Sequence, residues 1–306
     1  MICTCTLNPS LDYYLEFDQP VVSGKTNRSK LEYYEAGGKG INVSIVLNNL
    51  QIPTRAFGFL GGFSREFYIK LLQKYEYVRP NFTYIEGHTR VNVKIQDTET
   101  DTALNAAGPY ITNSDMKNLY KKTDRLDEGD YFVLGGVCQD YLKHDVKDMV
   151  INCINNDVRV VLDTANDIIY DLLPYKPFMV KTSSEELCAW KECEETFENA
   201  VSAAQEIYEL GARHVLVMVG KKKAILVCDT GTYVTDLLKQ QKAVSMVGTS
   251  DALTAGFLMN FLRSSDPVDS FRFGACCGIA TAYSKGLATR EKIDAFYTDT
   301  KVEKIA

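Results

Sequence analysis

Residues 131–163 read YFVLGGVCQDYLKHDVKDMVINCINNDVRVVLD, and their pattern predicts the class of fold. Tyr131–Gly135 and Arg159–Asp163 are short apolar runs, and residues 141–155 between them have the periodicity of a helix. Two buried strands joined by a helix predict a parallel pair of strands that is covered by that helix.

The same alternation continues on both sides of this stretch. Downstream, helical patterns and apolar strand-like runs follow one another at residues 168–173, 177–181, 185–190, 196–210, 214–219 and 224–228. Upstream, residues 1–7, 40–50 and 54–59 fit a strand, a helix and a strand. This order predicts an α/β fold with a doubly wound, mainly parallel sheet. In such a sheet, ligands bind beyond the carboxyl ends of the strands.

Two segments, near residues 12–35 and 82–107, alternate instead with the two-residue period of strands. Arg90, Asn92 and Lys94 lie on one face of the second segment. We therefore predict a small separate sheet over the crevice, which serves as a lid or as a dimer surface. The three polar side chains suit a phosphate group, although alternating charges on an edge strand also fit a solvated face.

Composition argues against several classes of function. The 306 residues are 45% hydrophobic and carry a formal net charge of −6 without a basic block, so we expect no nucleic-acid partner. We also expect a soluble cytoplasmic protein with no membrane partner, because neither a signal peptide nor a membrane-length apolar run is present. The nine cysteines lack metal-ligand spacing, which favours buried free thiols. Without a linker or repeat, residues 1–306 are predicted to form a single domain with its lid.

Residues 245–257 read SMVGTSDALTAGF and contain the start of another predicted helix. Leu253, Phe257 and Phe261 form one apolar stripe along that helix. A helix N-terminus leaves N–H donors unpaired and carries partial positive charge, so the residues before the stripe suit an anion. Asp251 stands at this position, where it serves either as a general base or as an ordinary helix cap.

Residues 36–43, AGGKGINV, place two adjacent glycines before a predicted helix. Glycines allow a ligand to approach the backbone closely, and Lys39 and Asn42 add a cation and an amide in the first turn. The segment is neither a P-loop nor a GxGxxG fingerprint, so a plain turn and a ligand site both fit it. Asp12 follows the first strand, at the edge where ligands bind.

The order of these segments resembles that of the PfkB (ribokinase-like) carbohydrate kinases. The branch with 1-phosphofructokinase and tagatose-6-phosphate kinase typically shows TLNPxxD, AGGKGxN, TRxNxK, KPNxxEL and VGAGDSxxAGF. The corresponding segments are residues 6–12, 36–43, 89–94, 181–187 and 247–257. The resemblance implies a ribokinase-like fold and transfer of the γ-phosphoryl group of ATP, with Mg²⁺, to a hydroxyl of a sugar or sugar phosphate.

For the catalytic centre, the resemblance implies that Asp251 is the general base on the acceptor hydroxyl. It also implies that the N–H groups of Gly248, Thr249 and Ser250 form an anion hole around the transferred phosphoryl group. This set is chemically sufficient, because phosphoryl transfer needs alignment and charge stabilisation rather than a covalent nucleophile.

For the substrates, the resemblance implies two further groups of contacts. The sugar hydroxyls and the phosphate already on the sugar would be held by Asp12, Gly38, Lys39, Asn42, Arg90, Asn92 and Lys94. The nucleotide phosphates and Mg²⁺, the metal ion through water, would be held by Lys181, Glu186, Gly220 and Gly248. Arg90 and Lys94 favour an acceptor that already bears phosphate. Fructose 1-phosphate, converted to fructose 1,6-bisphosphate, is the first expectation, and tagatose 6-phosphate is the second.

The chain departs from the family pattern mainly on the nucleotide side. Ser250 replaces the second glycine of VGAGD, and Ser183 replaces the asparagine of KPNxxEL. Glycine often adopts backbone angles that a residue with a side chain disfavours. We therefore expect Ser250→Gly to raise turnover or ATP affinity. Two functions of different class stay open: a working sugar-phosphate kinase, and a catalytically weak relative that binds a phosphosugar as a regulator.

Members of this family often form dimers through their lid sheets. The resemblance therefore implies that this chain forms a homodimer through its lid. Tyr13, Tyr14, Tyr33 and Tyr34 would supply aromatic surface for it. The alternative is that these tyrosines cover the chain's own core.

Overall fold

The computed structural model describes residues 1–164, 167–238 and 243–306. The strands in these residues are β1 (Ile2–Thr6), β2 (Ser10–Glu16), β3 (Leu31–Gly37), β4 (Thr54–Gly61), β5 (Val78–Pro80), β6 (Thr83–Ile85), β7 (Arg90–Gln96), β8 (Asp101–Leu104), β9 (Tyr131–Gly135), β10 (Arg159–Asp163), β11 (Met179–Ser183), β12 (Val215–Val219), β13 (Lys223–Cys228), β14 (Gly231–Asp236) and β15 (Glu303–Lys304). The α-helices are α1 (Lys39–Asn49), α2 (Gly62–Leu72), α3 (Asn113–Thr123), α4 (Lys143–Asn155), α5 (Ile168–Leu172), α6 (Ser184–Trp190), α7 (Phe197–Glu209), α8 (Thr249–Ser264), α9 (Pro267–Ala282) and α10 (Arg290–Tyr297).

Eleven of the strands form one large sheet in the order β15-β14-β13-β12-β11-β10-β9-β1-β4-β5, with β6 also paired to β4. The sheet is parallel from β5 to β12, and β13, β14 and β15 are added antiparallel at one edge. The predicted mainly parallel α/β fold is confirmed. Strand β11 begins at Met179, two residues later than predicted, and the skipped Pro177 has no N–H to donate to a ladder.

Helices cover both faces of the large sheet. Successive residues of each strand point to opposite faces, so every strand contributes side chains to both layers of helices. In β9, Phe132 and Leu134 pack into one core with α3, α4, α5, α6 and α7. Tyr131 and Val133 of the same strand pack into the other core, against α1, α8, α9 and α10. Burial on both faces explains why these strands are continuously apolar in the sequence.

The remaining four strands form a separate small sheet in the order β3-β2-β7-β8. Strand β2 pairs antiparallel with β3 and parallel with β7. The register places two rows of side chains on one face, namely Ser10, Asp12, Tyr14, Arg90, Asn92 and Lys94. The predicted small sheet is confirmed, but residues 83–85 do not belong to it. They form β6, which continues the large sheet beside β4.

The carboxyl ends of the central strands define the crevice. Strand β1 lies between β4 and β9, so the chain connections diverge there as they do at a topological switch point. Thr6 at the end of β1 is level with Gly135 of β9, and Gly135 is level with Asp163 of β10. Side chains from distant parts of the sequence therefore meet at this edge.

Across residues 1–164, 167–238 and 243–306, no helix has the length and apolar character needed to cross a membrane. Eight of the nine cysteines are buried, as predicted, and Cys193 is exposed.

Candidate active site

The N-terminus of α8 opens into the crevice and depends on Gly248. This residue has φ 76°, and a Cβ added to it would lie 2.4 Å from Leu287 Cδ2. Both the left-handed backbone conformation and the lack of room for a side chain therefore require glycine. The first helical hydrogen bond runs from the Ala252 N–H to the Gly248 carbonyl at 2.8 Å. The Ser250 and Asp251 N–H groups before it are oriented along the helix axis toward the opening. Thr249 N–H contacts the Met246 carbonyl at 3.4 Å and is the least free of the predicted anion-hole donors.

Asp251 lies in the first turn of α8 and does not cap it. Helix α8 has no side-chain cap, so the helix-cap alternative for Asp251 is wrong. The carboxylate is buried, and its Oδ2 accepts a hydrogen bond of 2.7 Å from Asn42 Nδ2 of α1. Its Oδ1 has no partner among the described protein atoms. An anchored carboxylate with one unused oxygen is the arrangement that a general base requires.

Asp163, at the end of β10, joins two cations of the site. Its Oδ1 accepts hydrogen bonds from Lys39 Nζ at 2.9 Å and from Lys181 Nζ at 3.1 Å. The side chains of Asp163 and Lys181 are almost completely buried, whereas Lys39 is about one-third exposed. The Oδ2 atom of Asp163 has no partner in the described part of the chain.

These groups set one another's protonation. Burial opposes ionisation of Asp163, but the attraction of Lys181 and Lys39 lowers its pKa below the ordinary carboxyl value. The pKa of Lys39 is raised, above all by Asp163. The pKa of Asp251 is raised by burial and then by the negative charge of Asp163, against the opposing effects of Lys181, Asn42 and Lys39. Two neighbouring carboxyls with opposite shifts are typical of a catalytic site.

Ser250 is in the right-handed helical conformation of α8, and its φ is not positive. The expected backbone conflict from replacing glycine is therefore absent at Ser250, because the glycine-requiring position is Gly248. The Ser250 side chain instead contacts Lys181, whose Nζ donates to Ser250 Oγ at 3.0 Å.

Ser183 also has a defined local role. Its Oγ accepts from the Glu186 N–H at 3.2 Å, and Glu186 Oε2 accepts from the Ser183 N–H at 3.0 Å. This capping box starts α6 and holds the Glu186 carboxylate, which also accepts from Thr182 Oγ1 at 2.8 Å. The asparagine of the family motif is thus replaced by a residue that keeps Glu186 in place.

Gly220 lies next to the start of α6. Its N–H donates to Ser184 Oγ at 3.3 Å, and the Ser184 hydroxyl donates to Glu195 Oε1 at 2.6 Å. Asp163 is the main cause of the raised pKa of Lys39, and the Asp251 and Glu186 carboxylates add to it. Lys181 lies in β11, α6 with Glu186 follows directly, and Gly220 follows the neighbouring strand β12, so the predicted nucleotide residues lie around the carboxyl ends of two paired strands.

On the small sheet, Asp12 is fixed by two neighbours. Its Oδ1 accepts from Ser10 Oγ at 2.7 Å and from Asn92 Nδ2 at 2.9 Å. A Cβ on Gly37 would lie 2.4 Å from Asp12 Oδ2, so Asp12 packs directly on the glycine turn that leads into α1. Gly38 follows with φ 129°, and a Cβ there would meet the Thr6 side chain at 2.6 Å. The small sheet and the crevice are therefore in contact.

Arg90 and Lys94 extend the polar face of the small sheet. Arg90 Nη1 donates to the Ala106 carbonyl at 3.2 Å, and Lys94 Nζ donates to Asn105 Oδ1 at 3.0 Å. Arg90 Nε is buried and lacks a partner among the described residues. Burial lowers the pKa of Arg90, which keeps its charge throughout the ordinary pH range. These two cations leave donor capacity for an anion.

Asp163 and Asn105 are functional candidates that the sequence reasoning did not select. Asp163 ends a buried strand at the ligand-binding edge, which is the same indication that selected Asp12. Asn105 follows β8 and becomes informative only through its contact with Lys94.

Residues 6–293 match the pfkB family of carbohydrate kinases, and the chain belongs to that family. It is therefore a kinase, a phosphotransferase whose acceptor is an alcohol group.

Similar proteins span the same length. The chain is 35% identical to the 1-phosphofructokinase of Bacillus subtilis over the whole of both chains. It is 28% identical to the D-tagatose-1-phosphate kinase of Bacillus licheniformis, with 96% of each chain covered. The phosphofructokinase-2 of Escherichia coli, crystallised with substrates and products, superposes with a TM-score of 0.91 at 22% identity, covering 97% of this chain and 98% of that one. This last likeness establishes the fold.

Proposed function

We propose that this protein is a ketohexose-phosphate kinase that transfers the γ-phosphoryl group of ATP to the 6-hydroxyl of fructose 1-phosphate. The observation that carries the proposal is the buried Asp251 carboxylate, anchored by Asn42 at one oxygen and unpartnered at the other, at the mouth of α8.

Asp251 is proposed to accept the proton of the acceptor hydroxyl. Its raised pKa makes it a stronger base than an exposed aspartate, while Lys181, Asn42 and Lys39 favour the ionised form that the reaction needs. The helix N-terminus, with Gly248 and Ser250, supplies positive potential and N–H donors where charge develops on the phosphoryl group.

Kinases of this family use ATP with a divalent metal ion. The residues present fit Mg²⁺, because Glu186 and the unpartnered Asp163 Oδ2 are carboxylate oxygens of the kind Mg²⁺ prefers. No group of three metal-ligating side chains occurs in the described ranges, which agrees with an ion held by one or two carboxylates and the nucleotide phosphates. When bound, Mg²⁺ neutralises phosphate charge. Lys181 and Gly220 are proposed to position the nucleotide phosphates.

The acceptor is proposed to bear a phosphate that Arg90 and Lys94 bind, with Asp12, Asn92, Gly38, Lys39 and Asn42 around the sugar hydroxyls. The Bacillus relatives are named for fructose and tagatose phosphates, and these two ketohexoses differ only in configuration at C4. Tagatose 1-phosphate is therefore the second candidate, and the earlier expectation of tagatose 6-phosphate becomes a third.

A coupled ADP-release assay with fructose 1-phosphate, tagatose 1-phosphate, tagatose 6-phosphate, fructose 6-phosphate and fructose tests this proposal. We expect the highest kcat/KM for fructose 1-phosphate and negligible turnover of free fructose. The regulatory alternative predicts the opposite combination: no turnover of any of the five sugars, with calorimetric binding of a phosphosugar intact.

Arg90→Ala is expected to raise the KM for the phosphosugar by about 10- to 100-fold with little change in kcat, since one charge-assisted hydrogen bond contributes roughly 1.5–3 kcal/mol. Steady-state kinetics with the phosphosugar varied measures this. Arg263→Ala, at the far end of α8, is the matched control and keeps the wild-type KM. An unchanged KM in Arg90→Ala would remove Arg90 from the phosphate site.

We also propose that the small sheet is the lid of the crevice and mediates a homodimer. Tyr13 and Tyr34 stack with ring centroids 4.4 Å apart on the face opposite Asp12, and Leu104, which lies on the same face beyond β7, is 55% exposed. Tyr14 and Tyr33 stack on the polar face, so only half of the predicted aromatic surface is available. Sedimentation velocity is expected to show a dimer that Leu104→Asp weakens, and a wild-type monomer at micromolar concentration contradicts this.

A further inference from the structure

Ser250 contributes a hydroxyl to the charged network at the mouth of α8. Its Oγ accepts from Lys181 Nζ at 3.0 Å, and the same ammonium donates to Asp163 Oδ1 at 3.1 Å. Where the family motif has glycine, no side chain is available for this contact. We propose that Ser250 takes part in phosphoryl transfer in two ways: its hydroxyl positions the Lys181 ammonium at the helix mouth, and its O–H donates a hydrogen bond to the transferred phosphoryl group. The inference rests on the proposed kinase function.

The hydrogen-bonding capacity of the two groups supports this role. A lysine ammonium has three donors, and Lys181 uses two of them on Asp163 and Ser250. The third donor is left for an anion. A serine hydroxyl that accepts from an ammonium still has its proton to donate, and within the described part of the chain this contact is the one made by Ser250 Oγ.

The place of Ser250 in the helix suits this hydrogen bond to the phosphoryl group. Ser250 is the second residue of α8, next to Asp251 and two residues before Ala252, whose N–H donates the first helical hydrogen bond. Its side chain is half-buried, on the side of the helix that faces Lys181. A side-chain donor there adds to the N–H groups of the helix terminus rather than replacing them.

Fixing Lys181 also reduces the reorganisation that the reaction requires. A lysine side chain has four rotatable bonds, and its rotamer freedom must be lost before its charge can act at one point. With two acceptors from different elements, β10 and α8, the ammonium is held in place before the nucleotide binds. With glycine at position 250, Asp163 alone would hold it.

The test compares Ser250→Ala, Ser250→Gly and Ser250→Thr. We expect alanine and glycine to lower kcat by about 10-fold, to raise the KM for Mg·ATP and to leave the KM for the phosphosugar unchanged. Threonine keeps the hydroxyl and is expected to retain most of kcat. This expectation reverses the one drawn from the sequence for Ser250→Gly. Ser202→Ala, on the exposed side of α7, is the matched control and keeps wild-type kinetics.

A double-mutant cycle separates positioning from a merely structural role. If Ser250 acts in part through Lys181, Ser250→Ala lowers kcat less in a Lys181→Met background than in the wild type. Fully additive effects, or a glycine variant as fast as the wild type, overturn the inference while the kinase function stands.

If the wild type itself transfers no phosphoryl group, the kinase proposal fails and the positioning role is decided by calorimetry with Mg·ADP plus inorganic phosphate. Weaker binding by Ser250→Ala than by wild type supports the role of Ser250, and equal binding overturns it.

Discussion

Replacing Asp251 with asparagine is expected to lower kcat by at least ~10² while leaving the Kd for the phosphosugar nearly unchanged. Asparagine has the same shape, and its amide oxygen still accepts the hydrogen bond that Asn42 donates at 2.7 Å in the wild type. It does not accept a proton. The coupled ADP-release assay measures kcat, and calorimetry measures the Kd for the phosphosugar.

The pH dependence provides a second measurement on the same residue. Burial and the charge of Asp163 raise the pKa of Asp251, and only the ionised carboxylate accepts a proton. Wild-type kcat is therefore lost as pH falls through a pKa higher than that of an exposed aspartate, and this acidic limb disappears in Asp251→Asn. Asp266→Asn is the control, because Asp266 caps α9 and has no place in the chemistry. Near-wild-type turnover of Asp251→Asn refutes the assignment of the base.

The fold was predictable because its strands are buried on both faces. Uninterrupted apolar runs such as residues 160–162 in Arg159–Asp163 stand out from the helical patterns between them, and the small sheet stands out by its two-residue alternation. The prediction was wrong for residues 83–85, since a three-residue strand has too little pattern to show which sheet it joins.

The site was predictable only as far as sequence motifs reach. The residues around Asp251 and Lys39 lie in recognisable sequence motifs. Asp163 lies in no motif, and its place in the site becomes visible only in the structure, where Lys39, distant in sequence, and Lys181, nearby in sequence, both donate to it. Ser250 is the opposite case. Sequence comparison marked it as a disruptive replacement of glycine, but only the helical conformation and the contact with Lys181 show what the side chain does.

Asp163→Asn is expected to lower the free energy of unfolding by about 3–5 kcal/mol, toward the lower value because Lys39 is partly exposed to solvent. The substitution removes the charge that Lys39 and Lys181 share and leaves the Lys181 ammonium buried beside an amide. Urea unfolding at neutral pH measures the loss. We also expect kcat to fall, because both cations lose the anchor that aims them into the cleft.

The sign of the pH effect separates this account from a packing defect. The pKa of Asp163 is lowered in the folded protein, so its ionisation stabilises the fold above the ordinary carboxyl pKa, and that stabilisation is lost as pH falls through the lowered value. The stability difference between wild type and Asp163→Asn should therefore shrink toward acidic pH. Asp171→Asn, which removes the exposed partner of Lys147, is the matched control. Its effect on the free energy of unfolding should be near the limit of measurement. A difference for Asp163→Asn that stays constant with pH would mean that the residue acts through shape rather than charge.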